Sequence, residues 1–339
     1  MKHLKSGFAV GFSCFLIVIS LFADFLSSNP PGMQNLDQFY HPPSRIHLSG
    51  LKPFLYPTEL IEPLDATYLE KTETGYPLHF FFKGYPYKLF GLIPTDRHLA
   101  GRSESPFYYP LGTDELGRDV LARVLAGTRT SMLVVVVGLI LYAILGITLG
   151  SIAGFFGGWV DSVLMRFSEF VLALPALYLL LAMRAVLPAR IAFAPAVFLI
   201  VGTIAAVTWP PMARGIRGLI LQLRSSGYVE AARSLGGTPV HVIRRHMLPS
   251  LVPFALSQLA VAAPVFLLGE VILSFLDVGL RGTGESWGSM LRSLRDTRVL
   301  TDFWWNLLPL CMVFLTLLCL NLLSSRPGRG MREAQTMRI

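Results

Sequence analysis

Apolar residues in this chain neither alternate with a period of two nor keep to one helical stripe; over long distances they run unbroken. Residues 6–23, 130–160, 191–213, 250–269 and 303–325 contain no charged side chain, and each stretch is near or above the roughly 18 to 20 residues that carry a helix across a bilayer. A sixth run, residues 161–188, is interrupted by Arg166, Glu169 and Arg184. A spanning helix still fits there, with the arginines at its ends reaching toward the headgroups. The pattern predicts an all-α membrane protein with six transmembrane helices.

Between the first two runs the pattern changes. Residues 28–109 are rich in Pro, Tyr and Phe, as in Asn29-Pro-Pro-Gly, His41-Pro-Pro-Ser and Gly75-Tyr-Pro-Leu-His-Phe-Phe-Phe-Lys-Gly-Tyr-Pro-Tyr. Prolines at this density forbid long helices, so short strands and turns are expected, with a hairpin over 76–88. Residues 110–130 read as an amphipathic interfacial helix: Thr113 or Asp114 supplies a cap, Asp119 and Arg123 pair at i, i+4, and Val120, Leu121, Val124 and Leu125 form one stripe. The division expected is an N-terminal anchor at 1–27, an extracytoplasmic insertion at 28–109, the interfacial helix at 110–130, a five-helix core at 131–325 and a tail at 326–339. A cleaved signal peptide is the alternative for 1–27, but the apolar run is long and no small-x-small site stands out near Asp24.

Composition agrees with a membrane protein: 53% of residues are hydrophobic, 15% are charged and mean hydropathy is +0.56, outside the range of soluble domains. The net charge of +8 does not signal nucleic acid, because the basic residues track the membrane. Lys2, Lys5, Arg214, Arg217, Arg224, Arg233, Arg244, Arg245 and the arginines after 325 fall on one side. Most outer-side arginines are offset by Asp277, Glu285, Asp296 and Asp302. This asymmetry predicts cytoplasmic termini and an even number of spans. Cys14, Cys311 and Cys319 all lie in apolar runs, so no disulfide framework is implied.

The most charged connection is 214–250, between the fourth and fifth runs. Within it, residues 228–235 suit a helix, Gly236-Gly237 stops it, and Pro239 opens a second, basic helix expected to end at Leu248-Pro249. Glu230-Ala231-Ala232, Gly236 three residues after Arg233, and Leu248-Pro249 resemble the cytoplasmic "EAA" signature of permease subunits in ATP-binding-cassette importers. Leu111-Gly-Thr-Asp and Gly117-Arg-Asp, together with Ser286-Trp-Gly and Asn321-Leu-Leu, resemble the second permease subunit of the dipeptide, oligopeptide and nickel branch. In two places the chain departs from that pattern: Met247 stands for an isoleucine, and Ser324-Ser325-Arg-Pro replaces the Gly-Asp after Asn321-Leu-Leu.

The resemblance implies a type I importer permease fold, a homologous second permease, two ATPase subunits and an extracytoplasmic solute-binding protein. It also implies that Glu230, Ala231, Ala232, Gly236, Leu248 and Pro249 couple to an ATPase. No cofactor is expected in this chain, ATP and Mg belonging to the ATPases. The phosphate-binding Gly-x-x-x-x-Gly-Lys-Ser/Thr loop is absent from the sequence, as are His-Glu-x-x-His and Gly-x-Ser-x-Gly, so enzyme activity is not expected. Glu169 and Glu270 are candidates for a pathway or interface role, because an ionisable side chain in an apolar helix must face protein or water. An ion-coupled secondary transporter is the alternative class, and these two glutamates would be its only ion-binding candidates. A membrane enzyme or assembly factor is a further alternative.

Overall fold

The structure is a computed structural model and describes residues 2–50, 52–175, 178, 182, 192–276 and 284–324. Its helices are α1 (Lys2–Leu26), α2 (Val120–Phe156), α3 (Gly158–Ala173), α4 (Phe193–Thr208), α5 (Pro210–Arg224), α6 (Gly227–Ser234), α7 (Pro239–Val242), α8 (Leu248–Phe275), α9 (Trp287–Met290), α10 (Thr297–Asp302) and α11 (Leu308–Ser324). Among the described residues four stretches are long and apolar enough to cross a membrane: Gly7–Leu26, Val120–Phe156, Pro239–Phe275 and Trp304–Ser324. The pair α4 and α5, bent by 50°, makes a fifth if counted as one span. The helix expected over 161–188 is represented by α3, and most of its second half lies outside the described residues.

The chain forms two compact units, one from Met1–Ala9, Val134–Glu270 and Leu317–Ile339, the other from Val10–Leu133 and Val271–Thr316. In the first unit, the glycines spaced by four on α2 meet α5. A Cβ on Gly146 would lie 2.6 Å from Met212, one on Gly150 2.5 Å from the Ala213 carbonyl, and one on Gly154 2.8 Å from the Arg217 carbonyl. Glycine is needed there so that the backbones can approach this closely. Trp209 is buried at the α4–α5 bend with Val171 and Ala213, and Leu145 and Leu149 close the cluster. Pro210 and Pro211 open α5, which continues to Arg224, so the stretch following residue 213 is helix rather than loop. Arg217 of α5 pairs with Asp161 of α3, neutralising a charge beside an apolar helix.

Among the described residues the second unit holds nine short strands: β1 (His47–Ser49), β2 (Lys52–Leu55), β3 (Thr58–Glu62), β4 (Thr67–Glu70), β5 (Tyr76–Pro77), β6 (His79–Phe80), β7 (Lys83–Leu89), β8 (Ile93–Arg97) and β9 (Ala100–Gly101). They make four antiparallel sheets in the orders β1-β2-β5, β3-β4, β6-β9 and β7-β8. The hairpin expected over 76–88 is not formed. Residues 76–77 pair with β2, residues 79–80 pair with β9, and the hairpin is 83–97 instead. Its turn, Phe90-Gly91-Leu92, lies beyond the stretch in which the hairpin was expected.

The amphipathic helix expected at 110–130 also differs. Regular helix begins at Val120 and runs without interruption to Phe156, so its first turns are not a separate surface element. Asp119 is the residue that caps it, its Oδ1 accepting from the backbone N–H of Leu121 at 2.9 Å and of Ala122 at 3.2 Å. Asp114 closes a loop instead, accepting from the N–H of Leu116 and of Arg118. The i, i+4 pair does not form either. Asp119 accepts from Asn29 Nδ2 at 2.8 Å, and the buried Arg123 bridges Asp114 and Glu285, with Arg118 beside them. The buried Arg123 gains two carboxylates in place of one, and each charge left alone in that setting would cost several kcal/mol.

Candidate functional site

The connection after α5 turns at Ser225 and Ser226, and the carbonyl of Ser226 accepts from the N–H of Val229 and of Glu230 to start α6. Gly236 has φ +84°, a left-handed conformation that other residues adopt only at a cost. The next N–H, that of Gly237, reaches back to the carbonyl of Ala232 at 3.1 Å. This is a Schellman closure, with Ala232 at the position whose carbonyl would otherwise be orphaned. Gly237 is as constrained as Gly236: a Cβ there would lie 2.6 Å from that same carbonyl. Thr238 caps α7 by accepting from the N–H of His241 at 3.3 Å, and Pro239 occupies the first helical position, where a missing N–H costs nothing.

The second arm of the elbow does not end at Leu248-Pro249 as expected. From Pro239 the chain is helical to Phe275, with one widened turn at Ile243–Met247 where the N–H of Leu248 bonds to the carbonyl of Ile243. A proline ring inside a helix presses on the carbonyl four residues back. The wider turn just before Pro249 makes room for it, which lets the helix pass through.

The inner side of the elbow is apolar: Val229, Val242 and Met247 are fully buried. The outer side faces away from the protein. Glu230 and Ala231 are exposed, Ala232 and Leu248 are half-buried, and Pro249 is exposed. No described residue pairs with the Glu230 carboxylate. Leu235 and Val240, at 88% and 74% exposure, stand on either side of the glycine turn, and Arg244 and Arg245 are exposed beyond them. The surface therefore combines an exposed carboxylate, small alanines, two apolar knobs and a basic flank. Gly237 was read only as part of the helix stop, and Leu235 and Val240 were not singled out by sequence reasoning. The doubled glycine was the available signal for the first, and two large apolar residues flanking a turn between polar helices was the signal for the others.

The two membrane glutamates differ in environment. Glu169 is exposed on α3, whereas Glu270 is fully buried on α8 and takes part in an interaction. An apolar cavity of about 440 Å³ lies between α3 and α4, lined by Phe167, Phe170, Phe198 and Thr203 among others, and neither glutamate lines it. Among the described residues no group of three or more His, Cys, Asp and Glu could hold a metal ion.

The family described as the binding-protein-dependent transport system inner membrane component matches residues 146–327, a region that takes in the whole elbow. The chain belongs to that family. The permease is 32% identical over 241 residues to the dipeptide transport system permease protein DppC of Bacillus subtilis, covering 71% of each chain. It is 32% identical over 249 residues to the glutathione transport system permease protein GsiD of Pectobacterium atrosepticum, covering 74% of this chain and 78% of that one. With the oligopeptide transport system permease protein OppC of Bacillus subtilis it shares 30% identity over 254 residues, covering 75% and 77%. The protein is thus an inner-membrane permease subunit of an ATP-binding-cassette importer and not an enzyme, and a secondary transporter is not favoured.

Proposed function

We propose that the permease forms one half of a peptide-conducting pore with six spans and cytoplasmic termini, and that its 227–250 elbow seats on a separate ATPase subunit. The second half of the pore is a homologous permease, a second ATPase serves that half, and a solute-binding protein delivers cargo to the outer face. Peptide cargo is supported by the relatives' names, which include dipeptide, oligopeptide and glutathione systems.

The observation that carries the reading is the two-faced elbow. Val229, Val242 and Met247 are buried inside, whereas Glu230, Ala231, Leu235 and Val240 are presented outward. Buried cores of docking surfaces favour apolar anchors beside a few charges that set register. Ala231 and Ala232 let a partner approach closely, Glu230 orients it, and the Schellman turn fixes the angle between the arms. When ATP draws the ATPases together, the elbow moves as a unit and tilts the spans between inward and outward openings.

The test is co-purification of the complex from its native membrane. ATPase subunits are retained by the wild type and lost with Glu230→Lys combined with Ala231→Trp, and uptake of a labelled dipeptide stops. Retention of ATPases at wild-type levels by that double variant would sink the reading.

A further inference from the structure

The turn of the β7–β8 hairpin is apolar where loop tips are ordinarily polar. Leu92 is 82% exposed and Ile93 57%, with Phe80, Phe81 and Phe90 also largely exposed. Two of these phenylalanines are held in the left-handed region, Phe81 at φ +52° and Phe90 at φ +54°. A bulky residue there is strained by roughly 1 to 2 kcal/mol, and such a residue persists only where its surroundings demand it.

Both strained rings pack on the same helix. Phe90 meets Phe22 edge-on with centroids 5.2 Å apart, and Phe81 meets Phe25 at 6.1 Å. Backbone contacts fix this docking: the N–H of Leu99 donates to the carbonyl of Phe25 at 2.8 Å, and His98 Nδ1 lies 2.7 Å from the carbonyl of Asp24.

Phe22 lies inside the apolar stretch Gly7–Leu26. Twenty helical residues span about 30 Å, the thickness of a bilayer's hydrocarbon core, so a residue four before the end lies about 6 Å below its edge. A ring in edge-on contact with Phe22 is at about the same depth. The side of α1 around it is lipid-facing by exposure, with Phe15, Ile17, Val18 and Leu21 all open. The hairpin tip therefore continues a surface that already faces hydrocarbon. Lys88, next to the turn, is exposed, and no described residue forms an ion pair with it. A cation on a flexible stem at that height suits a phosphate headgroup.

We propose that the tip Phe90-Gly91-Leu92-Ile93 inserts into the outer leaflet beside α1, with Lys88 at the headgroups, so that the β-rich segment is pinned to the lipid surface. The partner is the bilayer itself. This goes beyond the coupling reading and rests on its membrane-spanning α1 with a cytoplasmic N-terminus. It also explains the strained phenylalanines: in water, glycine or asparagine would fill those positions at no cost.

Depth-dependent quenching tests it. The full chain, with whatever subunits it retains, is stripped of Cys14, Cys311 and Cys319 by serine replacement. Single cysteines are introduced as Leu92→Cys, Ile93→Cys, Val18→Cys and Leu64→Cys. Each is labelled with an environment-sensitive fluorophore and reconstituted in phosphatidylglycerol and phosphatidylethanolamine vesicles containing lipid brominated on the upper acyl chain. The expected result is blue-shifted emission and at least twofold quenching by brominated lipid at positions 92 and 93. Position 64, on another exposed turn, should respond only to aqueous iodide. Iodide quenching without a bromine effect at both 92 and 93, while position 18 is quenched by lipid, overturns the hairpin proposal alone. Protection of 92 and 93 from both quenchers means that protein covers the tip, and also overturns it. If position 18 escapes lipid quenching as well, α1 does not span and the transmembrane reading fails with it.

Discussion

His41 illustrates how single residues organise the β-rich segment. Its ring lies between Tyr68 and Tyr109, with centroids 4.8 and 5.6 Å away. Nε2 is 2.8 Å from Thr58 Oγ1, and its backbone exchanges hydrogen bonds with Thr113. Burial lowers its pKa from the usual 6.5 to about 4, because the charged ring would lose its water. The unfolded chain takes up a proton near 6.5 and the folded one only near 4. The stability tied to a neutral ring is therefore complete above pH 6.5 and is lost as pH falls from there toward 4, by an amount on the order of 2 to 3 kcal/mol. Thermal unfolding of the wild type and of His41→Gln, followed from pH 7.5 to 4.5, should show a gap that narrows on acidification. A constant gap would mean that the ring is not held neutral. At this scale the sequence was partly legible. Gly236 announced a helix stop because only a few residue types tolerate a left-handed turn. The role of Gly237 depends on how near the Ala232 carbonyl comes, which no local pattern encodes.

Among elements, the apolar runs at 6–23, 130–160, 250–269 and 303–325 fall largely within the four long apolar helical stretches, and the boundaries moved where tertiary partners intervened. The start of α2 moved from 113 or 114 to 120 because Asp114 has stronger claims on it, from Arg118, Arg123 and two loop N–H groups. Strand pairing in 47–101 was largely illegible, since two-residue strands such as β5 and β6 take their partners from afar and carry too few positions to show a period. Gly146, Gly150 and Gly154 recur every four residues in the sequence, a small face whose partner no local pattern names. That partner is α5, and the closeness of the approach gives a test. At Gly150 an added Cβ meets a backbone oxygen at 2.5 Å and Ile216 at 2.9 Å, neither of which can swing aside. Gly150→Val should destabilise the purified permease by about 1 to 3 kcal/mol and lower its melting temperature by several degrees. Gly202→Val, where nothing lies within 4 Å, should leave it unchanged.

For the whole molecule, hydropathy and the distribution of arginines gave the membrane class, and motif resemblance gave the family now shown by its matches. The proposed sidedness rests on the charge asymmetry and can be checked directly. In the cysteine-free background, Ala231→Cys should react with a membrane-impermeant maleimide only after the membrane is opened, and Leu64→Cys should react in intact cells. Labelling of position 231 from outside would reverse the topology and remove any ATPase from its reach.

Helical continuity from Pro239 to Phe275 has a mechanical corollary. At 1.5 Å per residue, Val240 and Glu270 are about 45 Å apart along one rod, so a torque applied at the basic end arrives at the buried carboxylate without crossing a hinge. Only the widened turn at 243–247 and the prolines at 253 and 264 can absorb part of the twist. Stiffening that turn, rather than altering the glutamate, is the way to change how much motion is delivered.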